Sequence, residues 1–380
     1  MKLKDLIESN NTGLDAIKRA PIVDYDTGVR CLRIGDISNN RPFNEWGYTE
    51  VEDNNYSKFQ LKTGDIIVAR TGATIGVNKY IDKDYKSVYN NGLIRIRVKK
   101  ENNPKYVYYL LQSTNYKNFI KTISMGTSTQ PNMQMNDLLN LEVPDFDKPK
   151  QDKIVEILEK IDDKIGLNNE INNNLYEMGD NLYNEYFGKY KDNLPSDYNI
   201  VKLNEVADNF DSKRKPMSSR EREQHRGIYP YYGATSIIDY VDDYIFDDTY
   251  LLMGEDGTVK TDDGYPVLQY IWGKNWINNH AHVLKGKNIS TELLMFALRK
   301  INIENIITGA VQPKINQENM NKIEFVIGSD SKNKELEDIL KKLMDKSKNI
   351  IEENKRLEEL RETLLPKLMN GEIDLDKIEL

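Results

Sequence analysis

In the first half of the chain, the side chains best suited to bind a ligand lie in ARTGATIG, residues 69–76. An apolar run precedes this stretch, so we expect a short strand that ends in a glycine-rich loop carrying Arg70, Thr71 and Thr74. A guanidinium in such a loop has the paired donors that read a guanine edge in the major groove of duplex DNA. The alternative is a structural role for Arg70, in an ion pair above a tight turn.

Two other polar segments in this half offer hydrogen-bonding groups. Asn90 and Asn91 precede a predicted strand and have the groups to read adenine, although a turn is the favoured interpretation. Gln130 lies in a polar loop before a predicted helix, where it either contacts a duplex or fixes the loop to the backbone. The candidate residues of this second segment are Ser128, Thr129 and Gln130.

The densest basic run of the chain lies in its second half, at residues 211–223. Lysine and arginine in such a run hold phosphates when they meet nucleic acid, whereas the alternative is a solvated loop. Polar loops at the ends of predicted strands add candidates further along the chain. The candidate binding residues of this half are Lys213, Arg214, Lys215, Arg220, Lys260, Asn279, Gln312 and Lys314.

Residues that suggest catalysis or metal binding form weak patterns. His280 and His282 are one residue apart, as in some metal sites, but neither a cysteine nor a third histidine lies near them in sequence. Glu255 and Asp256 are adjacent, so on a strand their carboxylates would point to opposite faces. The sequence contains no GxxxxGK[ST] phosphate loop and no Asn/Asp-Pro-Pro-Tyr/Phe tetrapeptide. We therefore predict no catalytic residue, no metal and no cofactor in this chain.

One sequence pattern occurs twice along the chain. GTSTQPNMQMNDLLNLEVP at residues 126–144 recurs as GAVQPKINQENMNKIEFVI at residues 309–327, with the two Gln-Pro pairs 182 residues apart. The stretches before them also correspond, because MKLKDL begins the chain and IVKLNEV begins at Ile200. A repeat of this length predicts that a whole structural unit is duplicated.

A long segment with apolar residues seven positions apart follows each copy of this pattern. Sustained seven-residue spacing between charged residues predicts coiled-coil helices of about 37 residues, hence roughly 55 Å long. Asn168 occupies one seam position, where it either sets the helix register or lies at an exposed gap. The predicted seam residues are Ile154, Ile161, Leu175 and Leu182 in the first segment, and Leu336, Leu343, Ile350, Leu357 and Leu364 in the second.

Together these patterns predict an α+β fold with two globular domains and two long helices. We place the domains at residues 1–145 and 191–328, and the helical segments at residues 146–190 and 329–380. Exposed helices with matching apolar seams are expected to bury those seams against each other, and we expect an antiparallel pair. The expected molecule has a pseudo-two-fold axis, which suits a two-fold ligand such as duplex DNA.

Composition sets further bounds on the protein. Its net charge of −8 argues against a protein that coats DNA without regard to sequence. The single cysteine, Cys31, allows no internal disulfide and favours a reducing compartment. No stretch approaches the roughly 20 apolar residues of a membrane span. We expect a soluble protein of the cytoplasm with no membrane partner.

Essentially the whole chain resembles the specificity subunit of type I restriction–modification enzymes. Each matching stretch is weak evidence alone, but their order, spacing and duplication are specific together. Beyond the repeated Gln-Pro pattern, they are LKTGDIIVARTGATIG (61–76), QDKIVEILEKIDDKI (151–165), YPYYGATSIIDYVDDYIF (229–246), LLMGEDG (251–257) and ELRETLLPKLMNGEI (359–373).

The resemblance implies a division of labour among subunits. Each globular domain would be a target-recognition domain that reads one half of a split DNA sequence. The helices would act as spacers that fix the distance between the halves, and they would dock two methyltransferase (modification) subunits, which bind S-adenosylmethionine. Separate motor and endonuclease (restriction) subunits would use ATP and Mg²⁺ for cleavage. This chain would catalyse nothing.

Two rival interpretations stay open at the level of sequence. A protein-interaction scaffold would bind proteins through the two domains and use the helices to oligomerise. A two-domain hydrolase would need carboxylates that the sequence supplies only at scattered positions. Binding of random duplexes by the purified chain, with and without modification subunits, separates the scaffold from a protein that recognises DNA.

If the helices set the distance between half-sites, inserting one heptad into both of them is expected to lengthen the nonspecific gap in the methylated sequence. Both half-sites should stay unchanged, because no residue of either domain is altered. Methylome sequencing of a host that carries the altered system measures the gap. An unaltered gap would mean that something other than the helices measures the distance.

Overall fold

The chain folds into two compact units. The computed structural model describes residues 1–125, 132–309 and 311–375. The first unit comprises Met1–Gly166 with Lys355–Leu380, and the second comprises Leu167–Asn354. Each unit therefore contains one globular domain together with part of each long helix.

Short helices and strands alternate until each domain ends in a long helix. The described α-helices are α1 (Leu3–Leu6), α2 (Ile34–Ser38), α3 (Asp53–Phe59), α4 (Pro104–Leu110), α5 (Thr114–Met125), α6 (Met135–Leu139), α7 (Lys148–Tyr186), α8 (Leu203–Val206), α9 (Ser219–Gln224), α10 (Thr291–Leu298), α11 (Gln317–Met320) and α12 (Asp330–Met369). The strands of the first domain are β1 (Ile7–Thr12), β2 (Ile22–Val23), β3 (Arg30–Leu32), β4 (Gly47–Thr49), β5 (Ile66–Ala69), β6 (Asn78–Tyr80), β7 (Ser87–Tyr89) and β8 (Leu93–Val98). Those of the second are β9 (Asn199–Lys202), β10 (Ala207–Asn209), β11 (Arg226–Tyr232), β12 (Ile237–Val241), β13 (Phe246–Asp247), β14 (Tyr250–Gly254), β15 (Leu268–Ile271), β16 (Lys274–Ile277), β17 (Ala281–Gly286) and β18 (Glu324–Ile327).

Two four-stranded sheets form the framework of the first domain. One sheet has the strand order β1-β8-β5-β6 and is antiparallel throughout. The other has the order β2-β4-β3-β7, and β3 pairs with β7 in parallel. All four residues of β5 are buried and apolar, as is typical of a central strand that is covered on both faces.

The second domain repeats the antiparallel sheet, whereas its other sheet has the parallel pair in the middle rather than at one end. Its antiparallel sheet has the order β10-β17-β14-β15, and its second sheet has the order β12-β11-β16-β13 with β11 and β16 parallel. A short pair, β18 with β9, joins the exit from the domain to its entry. The 182-residue repeat in sequence thus corresponds to a repeat of the antiparallel sheet and its strand order.

In the first unit, the start of α7 and the end of α12 pack into the domain core. Ile154 of α7 and Leu365 of α12 are buried in one apolar cluster with Leu3 and other domain residues. Arg361 of α12 donates from Nη1 to Asp162 Oδ1 of α7 at 2.7 Å. The start of one helix lies beside the end of the other, so the two helices run antiparallel within this unit.

In the second unit, the end of α7 and the start of α12 pack in the same way. Leu336 and Leu340 of α12 are fully buried in a cluster with Phe296 and other residues of the second domain. Tyr186 of α7 donates its hydroxyl to Glu335 Oε1 of α12 at 2.8 Å. The helices are therefore antiparallel here as well.

None of the predicted seam residues is exposed in the structure. The buried ones are Ile154, Ile161, Leu336 and Ile350, and the half-buried ones are Leu175, Leu182, Leu343, Leu357 and Leu364. Toward the helix ends, the seam merges with the domain cores, because Leu182, Leu343 and Leu364 pack against the same clusters as the domain residues.

Asn168 is buried, with 1% of its surface exposed, so an exposed gap is not its role. Its Nδ2 donates to Asn354 Oδ1 at 2.8 Å and to Glu353 Oε2 at 2.9 Å, all within the second unit. Asn354 in turn donates from Nδ2 to Asn169 Oδ1 at 2.9 Å. A buried amide that must find its partner across two helices penalises any shifted register, because the shift leaves it unpaired.

The sequence of residues 103–123 predicts a single helix, and the structure shows that this prediction is wrong in its continuity. The stretch 103–123 forms two helices, α4 and α5, rather than one. Ser113 lies between them, and its Oγ accepts a hydrogen bond from the Tyr116 N–H at 3.3 Å. A serine in this position caps a new helix start, so the chain stops one helix and begins another.

Among the described residues, no helix combines the length and the apolar content that crossing a bilayer requires.

We expect Asn354→Leu to destabilise the second unit by about 1–3 kcal/mol, because it removes a buried partner of Asn168. The double variant Asn168→Leu/Asn354→Leu is expected to recover most of that loss, since neither position then buries an amide. Urea unfolding of the full chain measures both values.

Asn173→Leu, at an exposed position of α7, serves as the matched control and should change stability little. If the double variant loses as much free energy of unfolding as the substitutions of Asn168 and Asn354 together, the two amides do not act as a pair.

Candidate nucleic-acid interface

The backbone around Arg70 is fixed on both sides. Its N–H donates to Gly92 O at 2.9 Å, and its carbonyl accepts from the Met133 N–H at 2.8 Å. The next residue, Thr71, forms a β-bridge with Asn132. The chain that leaves β5 is thereby held between the start of β8 and the segment that leads to α6.

The Arg70 side chain is half-buried and has an amide partner. Its Nη2 donates to Asn132 Oδ1 at 3.2 Å, across the bridge. Its Nε is buried and has no hydrogen-bond partner within the described residues. No carboxylate of those residues pairs with Arg70, so the ion pair considered from the sequence is absent from that part of the chain.

The other candidates of the first domain lie around this position. Thr71 and Thr74 are half-buried in a turn that needs glycine, because Gly72 and Gly76 have φ values of 84° and 87°. Asn90 is half-buried and Asn91 is exposed at the start of β8. Their N–H groups donate to Leu32 O and Leu14 O, which fits the turn interpretation. Ser128, Thr129 and Gln130 lie outside the described residues.

The second domain contains the same backbone frame with a different residue at its centre. The Glu255 N–H donates to His280 O at 2.8 Å, and the Glu255 carbonyl accepts from the Ile315 N–H at 2.8 Å. Asp256 forms a β-bridge with Lys314. Glu255 therefore occupies the position that Arg70 occupies in the first domain.

Glu255 is the centre of an ion-pair network. Arg214 donates from Nη1 to Glu255 Oε2 at 2.7 Å and to Ala281 O at 2.6 Å. Lys314 Nζ lies 3.2 Å from Glu255 Oε1. Although burial raises it, the net shift in the pKa of Glu255 is downward, because Arg214, His282 and Lys314 stabilise the carboxylate.

A buried histidine extends this network. His282 Nδ1 donates to Asp211 Oδ2 at 2.6 Å, and Nε2 donates to Ile315 O at 2.8 Å. The Val283 N–H donates to the other Asp211 oxygen at 2.8 Å. Burial raises the pKa of Asp211, but the hydrogen bond and charge of His282 outweigh it and lower the pKa to about 2.

Asp211, Glu255 and His282 are the candidate metal ligands among the described residues, since their ligand atoms lie within 4.8 Å of one another. Arg214 and Lys314 supply positive charge to the same carboxylates. A divalent cation would have to displace these side chains or lie against their charge. We therefore interpret Asp211, Glu255 and His282 as part of an ion-pair network of the protein rather than as a metal site.

The structure separates the remaining candidates into paired and unpaired cations. Arg214 is 12% exposed and fully engaged in the network, which leaves it poorly placed to hold a phosphate. Lys260 is paired with Glu304. Of the candidate cations, Lys213, Lys215 and Arg220 are exposed and have no carboxylate partner among the described residues. Asn279, Gln312 and Lys314 are also exposed.

Sequence reasoning missed the partners that position the candidates. Asn132 and Asp211 were not assigned roles, although Asn132 contacts Arg70 and Asp211 contacts His282. Asn132 lies two residues after Gln130 in a pattern that was already singled out as repeated. That repeat could have identified it, whereas nothing near Asp211 in sequence indicates His282.

Comparison with known proteins places the chain within a family. A family model described as the type I restriction modification DNA specificity domain matches residues 1–177 and 195–362, which is most of the chain. The crystal structure of the type I restriction-modification system S subunit from M. genitalium aligns with a TM-score of 0.57 at 18% identity. That alignment covers 97% of this chain and 95% of the other, and it supports the fold.

Curated relatives match over parts of their length. S.HindORF215P of Haemophilus influenzae, assigned as a type I restriction enzyme specificity subunit, is 34% identical over 33% of this chain and 32% of its own. The HindI type I restriction enzyme specificity subunit of the same organism is 28% identical over 41% of this chain and 35% of its own. The chain thus spans about a third of the length of these two relatives.

We expect Asp211→Asn to destabilise the second unit by about 1–3 kcal/mol at neutral pH, because a buried, hydrogen-bonded carboxylate is lost. The folded-state pKa of Asp211, about 2, lies below its ordinary value of 3.8. The contribution of Asp211 is therefore complete above about pH 4 and disappears as the pH falls toward about 2. Urea unfolding at several pH values measures the difference from wild type.

Asp262→Asn is the matched control, since Asp262 is exposed in the same domain. A stability difference for Asp211→Asn that is equally large at pH 7 and at the acid end would contradict the ionised pairing with His282.

Proposed function

Since the chain belongs to the family of type I restriction modification DNA specificity domains, we propose that it is the DNA-recognition subunit of a type I restriction–modification complex. Each globular domain reads one half of a bipartite duplex target. The long helices set the spacing between the halves. The chain itself performs no catalysis.

One observation carries this proposal above the others: both domains hold different side chains in the same backbone frame. Arg70 and Glu255 occupy equivalent positions, each fixed by one hydrogen bond to the neighbouring strand and one from the segment before a short helix. A rigid frame with variable side chains is suited to reading two different half-sites. A scaffold that binds two copies of one protein would be expected to present similar groups from both domains.

The charges of the second domain support binding of a duplex despite the net charge of −8. Lys213, Lys215 and Arg220 are exposed in the same segment, residues 211–223, that supplies Asp211 and Arg214 to the ion-pair network, and no carboxylate of the described residues neutralises them. Phosphate contacts position a protein on the duplex, while contacts to base edges select the sequence. We assign the first role to these three cations.

The long helices combine a buried apolar seam with an outer surface of charged residues. We infer that their outer surface docks two methyltransferase subunits, and that motor and endonuclease subunits join through the complex. S-adenosylmethionine, ATP and Mg²⁺ then bind to those subunits, because this chain has no phosphate loop and its carboxylate cluster is engaged by its own cations. Polar faces of this kind are compatible with exchangeable subunits.

The decisive experiment is methylome sequencing of a host that carries the complete system, compared with a host that lacks only this chain. We expect one bipartite methylated sequence that disappears when the chain is absent. Methylation that persists without this chain, or a contiguous target, would contradict the proposal. Binding of a random duplex pool by the purified complex then tests recognition without the host.

We expect replacing both Lys213 and Lys215 by alanine to weaken binding to all duplexes alike. The slope of log affinity against log salt should fall by about 2, because roughly one unit of slope is lost for each phosphate contact. Affinities for a cognate and an unrelated duplex at several salt concentrations provide the measurement.

The control is the double alanine variant of Lys202 and Lys287, which are exposed in the same domain and lie outside residues 211–223. A loss confined to the cognate duplex would mean that Lys213 and Lys215 read bases rather than phosphates.

A further inference from the structure

The equivalence between the two domains extends from the backbone to one pair of side chains. In the first domain, the residue at the centre of the frame, Arg70, bonds across the bridge to Asn132. In the second domain, the central residue, Glu255, bonds across the bridge to Lys314. The same two positions are therefore coupled in both domains.

The cation lies on opposite sides of this coupled pair in the two domains. Arg70 comes from the end of β5, and its acceptor Asn132 comes from the segment before α6. Lys314 comes from the segment before α11, and its acceptor Glu255 follows β14. In each domain the bridge thus joins one cation to one acceptor, and in the second domain Glu255 binds Arg214 as well.

We propose that Arg70 and Lys314 each read a guanine in the major groove of their own half-site, and that Asn132 and Glu255 hold them in position. This inference rests on the proposed function. Guanine presents two acceptors, O6 and N7, on its major-groove edge, and arginine and lysine are the side chains that pair with them. Each half of the target must then contain at least one guanine.

The acceptors do not suit the role of base reader themselves. The Glu255 side chain is 14% exposed, and Arg214 and Lys314 already bind its oxygens. Asn132 uses its amide oxygen to accept from Arg70. The Lys314 side chain is 48% exposed, so it can keep its anchor to Glu255 and still present N–H groups to a ligand.

The geometry around Arg70 also separates it from the phosphate-binding cations. Lys213 and Lys215 lie on an exposed segment, whereas Arg70 is held by backbone hydrogen bonds on both sides. Its buried Nε finds no partner among the described residues, so those residues do not satisfy every donor of the guanidinium. An arginine fixed in this way can direct its remaining donors to O6 and N7 of a guanine.

The test uses 7-deazaguanine, which removes the N7 acceptor from the major groove and leaves base pairing intact. After the methylated sequence is known, each guanine of each half is replaced singly in synthetic duplexes. Affinity is measured for the full-length chain with its co-purified partner subunits, as wild type, Arg70→Ala, Lys314→Ala and Lys322→Ala. Lys322, which is exposed and paired with Glu318, is the matched control for a lysine that binds a glutamate.

For wild type, we expect one 7-deazaguanine position in each half to weaken binding, by roughly 5- to 150-fold for the bidentate arginine contact and less for the lysine. Arg70→Ala should abolish the sensitivity of one half and keep that of the other. Lys314→Ala should do the reverse, and Lys322→Ala should leave both sensitivities intact. Asn132→Ala should reduce the sensitivity in the Arg70 half alone, which a general loss of stability would not do.

Several results would overturn the inference. A half-site without guanine excludes a guanine contact outright. Each single variant could still lose affinity at the same 7-deazaguanine positions as wild type. The loss from the substitution and the loss from the modified base would then add, which means that other residues read N7. If wild type binds every duplex equally, the proposed function itself fails. If it selects one sequence but ignores 7-deazaguanine, only the present inference fails.

Discussion

Burial of the apolar stripe on each long helix is the constraint on which the other features depend. A helix of 39 or 40 residues, such as α7 or α12, cannot leave such a stripe in water. The structure resolves this by packing the start of one helix beside the end of the other and by building their ends into the domain cores. The cores and the helices are therefore parts of the same apolar clusters, and neither is an independent addition.

The seam is not uniformly apolar, and its polar positions have a physical consequence. Apolar contacts alone tolerate several registers of two long helices, because one leucine packs much like another. Asn168 and Asn354 are buried and bond to each other, so a shifted register would leave amide groups unpaired in a place that water does not reach. The buried amides lower the stability of the seam, but they favour a single alignment of the two helices.

The antiparallel sheets have a related function for the side chains at the centre of each frame. Strands β5 and β14 are central, and the residue after each one is held by the neighbouring strand and by the segment that leads to the next helix. Because the hydrogen bonds use backbone atoms, the side chain at that position can change without loss of the frame. Arg70 in one domain and Glu255 in the other are an example of such a change. In the second domain, the network of Asp211, Arg214 and His282 accommodates the Glu255 carboxylate.

The sequence by itself determined the features that depend on local periodicity and on comparison of the chain with itself. Apolar residues seven apart indicated two long helices, and the repeat 182 residues apart indicated two similar domains. Short apolar runs at residues 64–71, 92–98, 248–254 and 280–286 predict strands, and β5, β8, β14 and β17 each lie within one of these stretches. The break between α4 and α5 was missed, because a serine cap inside a helical pattern is a weak local signal.

Only the tertiary structure decided which charged residues are available for binding. Arg214 and Lys215 are neighbours in one basic run, yet Arg214 is committed to Glu255, 41 residues away, while Lys215 is exposed. His282 meets its partner Asp211 across 71 residues. Ion pairs between distant positions follow from strand order and register, and a single sequence contains no local record of either. The composition of the site could thus be predicted in part, but its pairing and exposure required the fold.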